Sequence, residues 1–262
     1  MADESALLKA VLSSPDEDPP RLSFAQWCEG RSDPTTHALG DFIRTQLSLA
    51  NLDVTAHPRE EYSLRYQSEK LDRRYHQDWG GGVGALVEEH RFDRGFVEFV
   101  ALPAEEFLEL ASRVFSLAPI RHLQLTEVTH VAGALFDSLH LSTIRSLDLS
   151  RCGLADSQVA QLAASPYLTE LRWLSLAENE VGVAGANALA ASFSLPHLRY
   201  VNFRGNRIEP NLRHTFDGGY VVDSWLPDDG IALEEQHGRL PWLHHAATGV
   251  MDAIPNRFRL GS

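Results

Sequence analysis

The stretch Ile144-Arg145-Ser146-Leu147-Asp148-Leu149-Ser150-Arg151-Cys152-Gly153-Leu154 alternates apolar and polar residues at its centre, as a strand with one buried face does. The same arrangement returns at Leu171, Leu174, Leu176, Asn179 and Val181, and again at Leu198, Val201, Phe203, Asn206 and Ile208. Each start lies 27 residues after the last. A unit of that size cannot bury its apolar side alone, so its recurrence predicts stacked units sharing one core. Ile120, Leu123 and Leu125 open a further unit 24 residues before Ile144. Ahead of it, Gly95-Phe96-Val97-Glu98-Phe99-Val100 alternates as a strand, so about five parallel strands are expected.

Between strands, Val159, Leu162 and Ala163, and then Gly185, Ala188, Leu189 and Ala190, have the spacing of amphipathic helices. The period, the consensus leucines and the Cys/Asn position are those of leucine-rich repeats, and the returning helices resemble the longer repeat class found in ribonuclease inhibitor. The predicted fold class is therefore α/β: a short right-handed leucine-rich-repeat solenoid, strands concave and helices convex, preceded by a small all-helical module. The expected divisions are a helical module over 1–92, the repeats over 93–213 and an irregular C-terminal cap over 214–262.

Alternation turns the consensus leucines inward and their neighbours out of the concave sheet. The outward rows read His122, Ser146, Trp173, Tyr200; then Gln124, Asp148, Ser175, Asn202; then Thr126, Ser150, Ala177, Arg204. Trp173 beside Tyr200 supplies apolar area with polar tips, the composition of interface hot spots. Its alternative is burial under the C-terminal segment. The predicted partner-binding set is His122, Asp148, Trp173, Tyr200, Asn202 and Arg204. An arginine follows the first consensus residue of every unit: Arg121, Arg145, Arg172 and Arg199. Guanidinium heads one strand spacing apart would repel by about 0.9 kcal/mol in water and roughly 3.5 at an effective dielectric of 20. They must splay into solvent, pair with acids such as Asp148 and Glu170, or meet an anionic partner along the edge.

The sheet face measures roughly 24 by 12 Å, near 290 Å², against about 800 Å² per partner for a standard protein interface. A peptide fits it more easily than a protein, which would also have to touch neighbouring loops or helices.

Residues 1 to about 90 read as helices separated by prolines. Leu7, Leu8, Val11 and Leu12 share one face behind Asp3. Phe24, Trp27 and Cys28 follow, then Leu39, Phe42, Ile43, Gln46 and Leu47 after Asp33-Pro34. Leu64, Leu71, Tyr75 and Trp79 line a last helix that starts at Pro58. Gly80-Gly81-Gly82-Val83-Gly84 is expected to stop that helix and act as a linker. The run Glu4, Leu7-Leu8, Pro15-Asp16, Arg21-Leu22, Phe24-Ala25, Trp27, Glu29, Asp41-Phe42-Ile43-Arg44 and Gln46 resembles the bacterial repeat-companion domain, a short module that precedes leucine-rich repeats. The downstream helix, Arg94-Gly95-Phe96-Val97 and the repeats are also similar to such proteins. Gln26 stands where the domain's usual Ala-Asp-Trp-Leu-Glu-Glu motif carries an acid, and the resemblance supplies no catalytic residue.

The 262 residues include 36 acidic and 23 basic side chains, a formal charge of -13 that repels nucleic acid and anionic lipid. The acidic start and the lack of a long apolar run predict a cytoplasmic protein. Two cysteines, Cys28 and Cys152, give neither a disulfide framework nor a zinc cage. After Ile208 the repeat is lost. Tyr220 to Leu226 reads as a terminal strand and Trp242-Leu243 as cover for the end of the core. His237, His244 and His245, with Glu234, Glu235 and Asp252, are the candidates for a metal-binding or metal-dependent enzyme alternative, without a recognised ligand spacing. A structural subunit of an assembly is a third possibility. The preferred expectation is a non-enzymatic protein- or peptide-binding module without cofactor, and with neither nucleic acid nor membrane as partner.

Overall fold

The computed structural model describes residues 3–53, 55–207 and 236–237, together with the backbone of 214–217 and 220–223. It divides into two compact units, Met1–Val100 with Arg113–Ile120, and Ala101–Ser112 with Arg121–Ser262. Trp242-Leu243 lies outside the described residues, and Tyr220–Asp223 of the expected terminal strand pairs antiparallel with His214–Asp217.

The first unit begins with four helices: α1 (Glu4–Ser13), α2 (Asp18–Glu29), α3 (Pro34–Ala50) and α4 (Pro58–Gly84). Three of them carry proline in the first turn, where a missing N–H costs nothing and φ is already helical. Asp33 caps α3, its carboxylate accepting from Thr36 N and Oγ1. Val11, Phe24, Ala25, Cys28, Ile43, Leu47 and Phe96 form one buried cluster. Burial there pushes the Cys28 thiol up to about 12, so it stays protonated and packs as a small apolar group.

Contrary to expectation, α4 does not stop at the glycines but runs through Gly84. The reason is packing. A Cβ at Gly80 would lie 1.9 Å from His90 Nε2, and one at Gly84 2.8 Å from the same ring. The glycines let His90 press on the helix, which overrides their poor intrinsic propensity. His90 also stacks on His76 at 4.3 Å, and burial, with His76 beside it, lowers its basicity.

Strands β1 (Glu89–Asp93) and β2 (Phe96–Pro103) form a hairpin that the sequence reading did not anticipate. Arg94 (φ 45°) and Gly95 (φ 87°) are both left-handed, the requirement of a two-residue type I′ turn. A Cβ at Gly95 would meet Ile43 Cα at 2.7 Å, so the turn lies directly on α3. Its N–H donates to Gln46 Oε1 at 2.7 Å, and Gln46 Nε2 donates to Ser68 Oγ. Arg21, with no exposed surface, donates to the carbonyls of Pro15, Asp93 and Arg94 and to Glu98 Oε1 at 2.6 Å. Arg94 in turn donates to the Asp16 carbonyl at 3.0 Å, so Pro15, Asp16, Arg21, Gln46 and Arg94-Gly95 act as a clamp between helices and hairpin.

α5 (Ala104–Leu117) leads into the repeats, whose strands are β3 (His122–Thr126), β4 (Ser146–Asp148), β5 (Trp173–Ser175) and β6 (Tyr200–Asn202). They pair in parallel and in register, consensus residue on consensus residue: Leu123, Leu147, Leu174 and Val201. The short α6 (Ala132–Phe136), flanked by 3-10 turns, follows β3; α7 (Asp156–Ala163) and α8 (Val183–Ala190) follow β4 and β5, as the spacing predicts.

Two devices lock each repeat to the next. Asn179 is buried and uses its whole amide: Oδ1 accepts from Cys152 N and Leu154 N, and Nδ2 donates to the carbonyls of Leu149, Leu176 and Ala177. Asn206 repeats the pattern on Val181 N and the carbonyls of Leu176 and Phe203. Cys152, in the equivalent place one repeat earlier, directs its thiol to the Leu125 carbonyl, and burial pushes that thiol up to about 11. Asp156 of α7 accepts from Gly182 N and Gly185 N, capping the following helix from the preceding repeat. Glu127, Arg151, Glu178 and Gly205, at repeat spacing, all have positive φ where the chain leaves the strand. Only the last advertises this conformation in its residue type.

Candidate interaction face of the repeats

Leu147 and Leu149 are fully buried, so the strand places Asp148 on the opposite side, with Ser175 and Asn202 beside it on successive strands. Trp173 and Tyr200 are register partners on β5 and β6. Their rings are stacked, centroids 5.8 Å apart and planes 2° from parallel. Parallel strands one spacing apart hold two such rings face to face without any further device. Both residues are half-buried, and the Trp173 indole Nε1 has no hydrogen-bond partner.

A polar strip runs beside the stack. Asp148 Oδ1 accepts from Ser150 N at 2.9 Å and Ser150 Oγ at 2.6 Å. Ser150 Oγ meets Ser175 Oγ at 2.8 Å, and Asn202 Nδ2 donates to Ser175 Oγ at 3.3 Å. Asn202 Oδ1 accepts from Arg204 N, while the Arg204 side chain is exposed. Asp148 Oδ2 has no partner. Burial raises the Asp148 pKa, and the bonds from Ser150 oppose that rise.

The six residues expected to meet a partner therefore divide. Trp173, Tyr200 and Asn202 are partly accessible and Arg204 is exposed, but His122 and Asp148 are each 4% exposed. His122 Nδ1 lies 2.6 Å from Ser146 Oγ, its neighbour on β4. Alternation gives the side of the sheet on which a residue stands and not its depth; small serines at 146 and 175 sit low between larger neighbours.

The arginine edge is built differently from a row of charged tips. The backbone carbonyls of the first three arginines each accept two bonds from the next strand: Arg121 O from Arg145 N and Ser146 N, Arg145 O from Arg172 N and Trp173 N, Arg172 O from Arg199 N and Tyr200 N. Arg121 is buried and its guanidinium donates to the Thr143 carbonyl at 2.6 Å; Arg199 donates to the carbonyls of Pro196 and Leu198. Backbone carbonyls, rather than Asp148 or Glu170, receive these two cations. Arg145 and Arg172 are half-buried.

Of the C-terminal histidines, His237 bonds Asn187 Oδ1 on α8 at 3.0 Å. His244, His245, Glu234, Glu235 and Asp252 lie outside the described residues. No helix among the described residues is long and apolar enough to cross a membrane.

A family model described as Leucine Rich repeat matches residues 140–157, the stretch holding β4 and the Cys152 turn. A search of curated proteins returns no match to the chain.

Proposed function

We propose that the chain is a non-catalytic protein- or peptide-binding module whose repeats form a short solenoid and whose concave strand face is the binding surface. On this reading the helical unit is a repeat-companion module of bacterial type. The parallel stack of Trp173 on Tyr200 carries the proposal. Two large aromatic groups left half in solvent are the composition that concentrates binding energy when a partner covers them. The narrow sheet favours a peptide segment as the group seated there. Co-purification with the tagged wild type from its own cells, beside a Trp173→Ala/Tyr200→Ala variant, tests this reading. A partner retained by the wild type and lost by an equally folded variant is expected; equal retention by both would refute the face.

A further inference from the structure

The polar strip contains one atom whose chemistry is incomplete. Asp148 is 4% exposed, its Oδ1 is taken by Ser150, and its Oδ2 has no partner. A carboxylate withdrawn from water without a counter-charge is unfavourable, and a cation delivered to its free oxygen removes that penalty. Register places Ser175 beside Asp148 and Trp173 beside Ser146, so Asp148 and Trp173 are diagonal neighbours with Cα atoms about 8 Å apart.

We propose, building on the reading of this face as a peptide-binding surface, that its ligand is a peptide carrying a lysine. The ammonium pairs with Asp148 Oδ2, and the aliphatic stem lies along the Trp173–Tyr200 stack. Three observations select lysine. Only one carboxylate oxygen is free, which suits a point charge and leaves arginine's two-pronged geometry unused. Asp148 is recessed between its register partners Gln124 and Ser175, so a slender, extended group of about 6 Å reaches it best. Oδ2 is closed to solvent, so on this proposal the half-buried side chain of its register partner Gln124 rotates aside, a change of the size common on binding. The arginines that precede the strands, Arg145 and Arg172 among them, repel a run of basic residues, so the motif is a single lysine rather than a polybasic stretch.

A displayed random heptapeptide library selected on the full-length wild-type chain tests this, followed by affinity measurements with the recovered peptides. The expected result is enrichment of one lysine, with binding at least about tenfold weaker to Asp148→Asn and to the peptide in which norleucine replaces that lysine. Peptides that lack lysine, or that bind Asp148→Asn as tightly as wild type yet fail on Trp173→Ala/Tyr200→Ala, would overturn the lysine inference and leave the peptide-binding face standing. Recovery of no peptide at all would overturn both.

Discussion

Two buried charged residues in this chain have opposite surroundings. Arg21 in the helical unit has no exposed surface, and its terminal nitrogens reach three carbonyls and Glu98; its Nε alone has no partner, and the guanidinium lies 5.3 Å from the Phe96 ring centre. Burial lowers the Arg21 pKa, and Glu98 counters that by favouring the charged form. Asp148 on the strand face is nearly as buried, yet half of its carboxylate is unpartnered. The first is a charge used up by architecture, joining helices and hairpin. The second keeps one carboxylate oxygen unsatisfied, and it is this atom that the proposed lysine would meet.

Four substitutions sharpen or break that contrast. Asn179→Ala removes five hydrogen bonds, three of them to the preceding repeat, and is expected to cost about 4 kcal/mol, read as a fall in the urea midpoint. Arg21→Met takes from the buried Glu98 the ion pair at 2.6 Å and is expected to cost about 3 kcal/mol; a loss under about 1 kcal/mol would mean that the clamp is dispensable. Gly80→Ala should cost about 2 kcal/mol because its methyl meets His90, whereas Gly81→Ala, with nothing within 4 Å, should gain up to about 1 kcal/mol from helix propensity. Matching gains at both positions would show that His90 does not press on α4.

Removing the unpartnered charge is expected to stabilise the chain slightly. A folded-state pKa raised above the unfolded value means that the folded protein takes up the Asp148 proton more readily. The group is tolerated best at acid pH, and its cost grows as pH rises through the raised folded pKa. Asp148→Asn should accordingly stabilise the chain by about 1 kcal/mol at pH 7, with the gain shrinking in thermal melts as the pH falls towards 4. Peptide binding, if it uses the carboxylate, runs the other way and weakens on acidification.

Much of this was legible in the residues because repetition does the work. Leu147, Leu174 and Val201 recur at one spacing, so the register of β4, β5 and β6, and with it the contact of Trp173 and Tyr200, follows from counting. Depth was not legible. The same counting places Asp148 and His122 on the open side but is silent on the neighbours that bury them. Local propensity misled at Gly80 to Gly84, where a histidine distant in sequence needs the space that glycine leaves. The β1–β2 turn had a local signal in Asp93-Arg94-Gly95, with glycine at the second turn position, but it was read as the start of a strand. The left-handed residues Glu127, Arg151 and Glu178 carry no such signal; repeat geometry imposes that conformation on them.

Photo-crosslinking in the protein's own cells, from a photoreactive phenylalanine analogue at position 173, tests the binding face most directly. The control is the same residue at position 161, on the exposed side of α7. A discrete heavier adduct from position 173 and none from position 161 is the predicted result; no adduct from 173, or the same adducts from both, would contradict it.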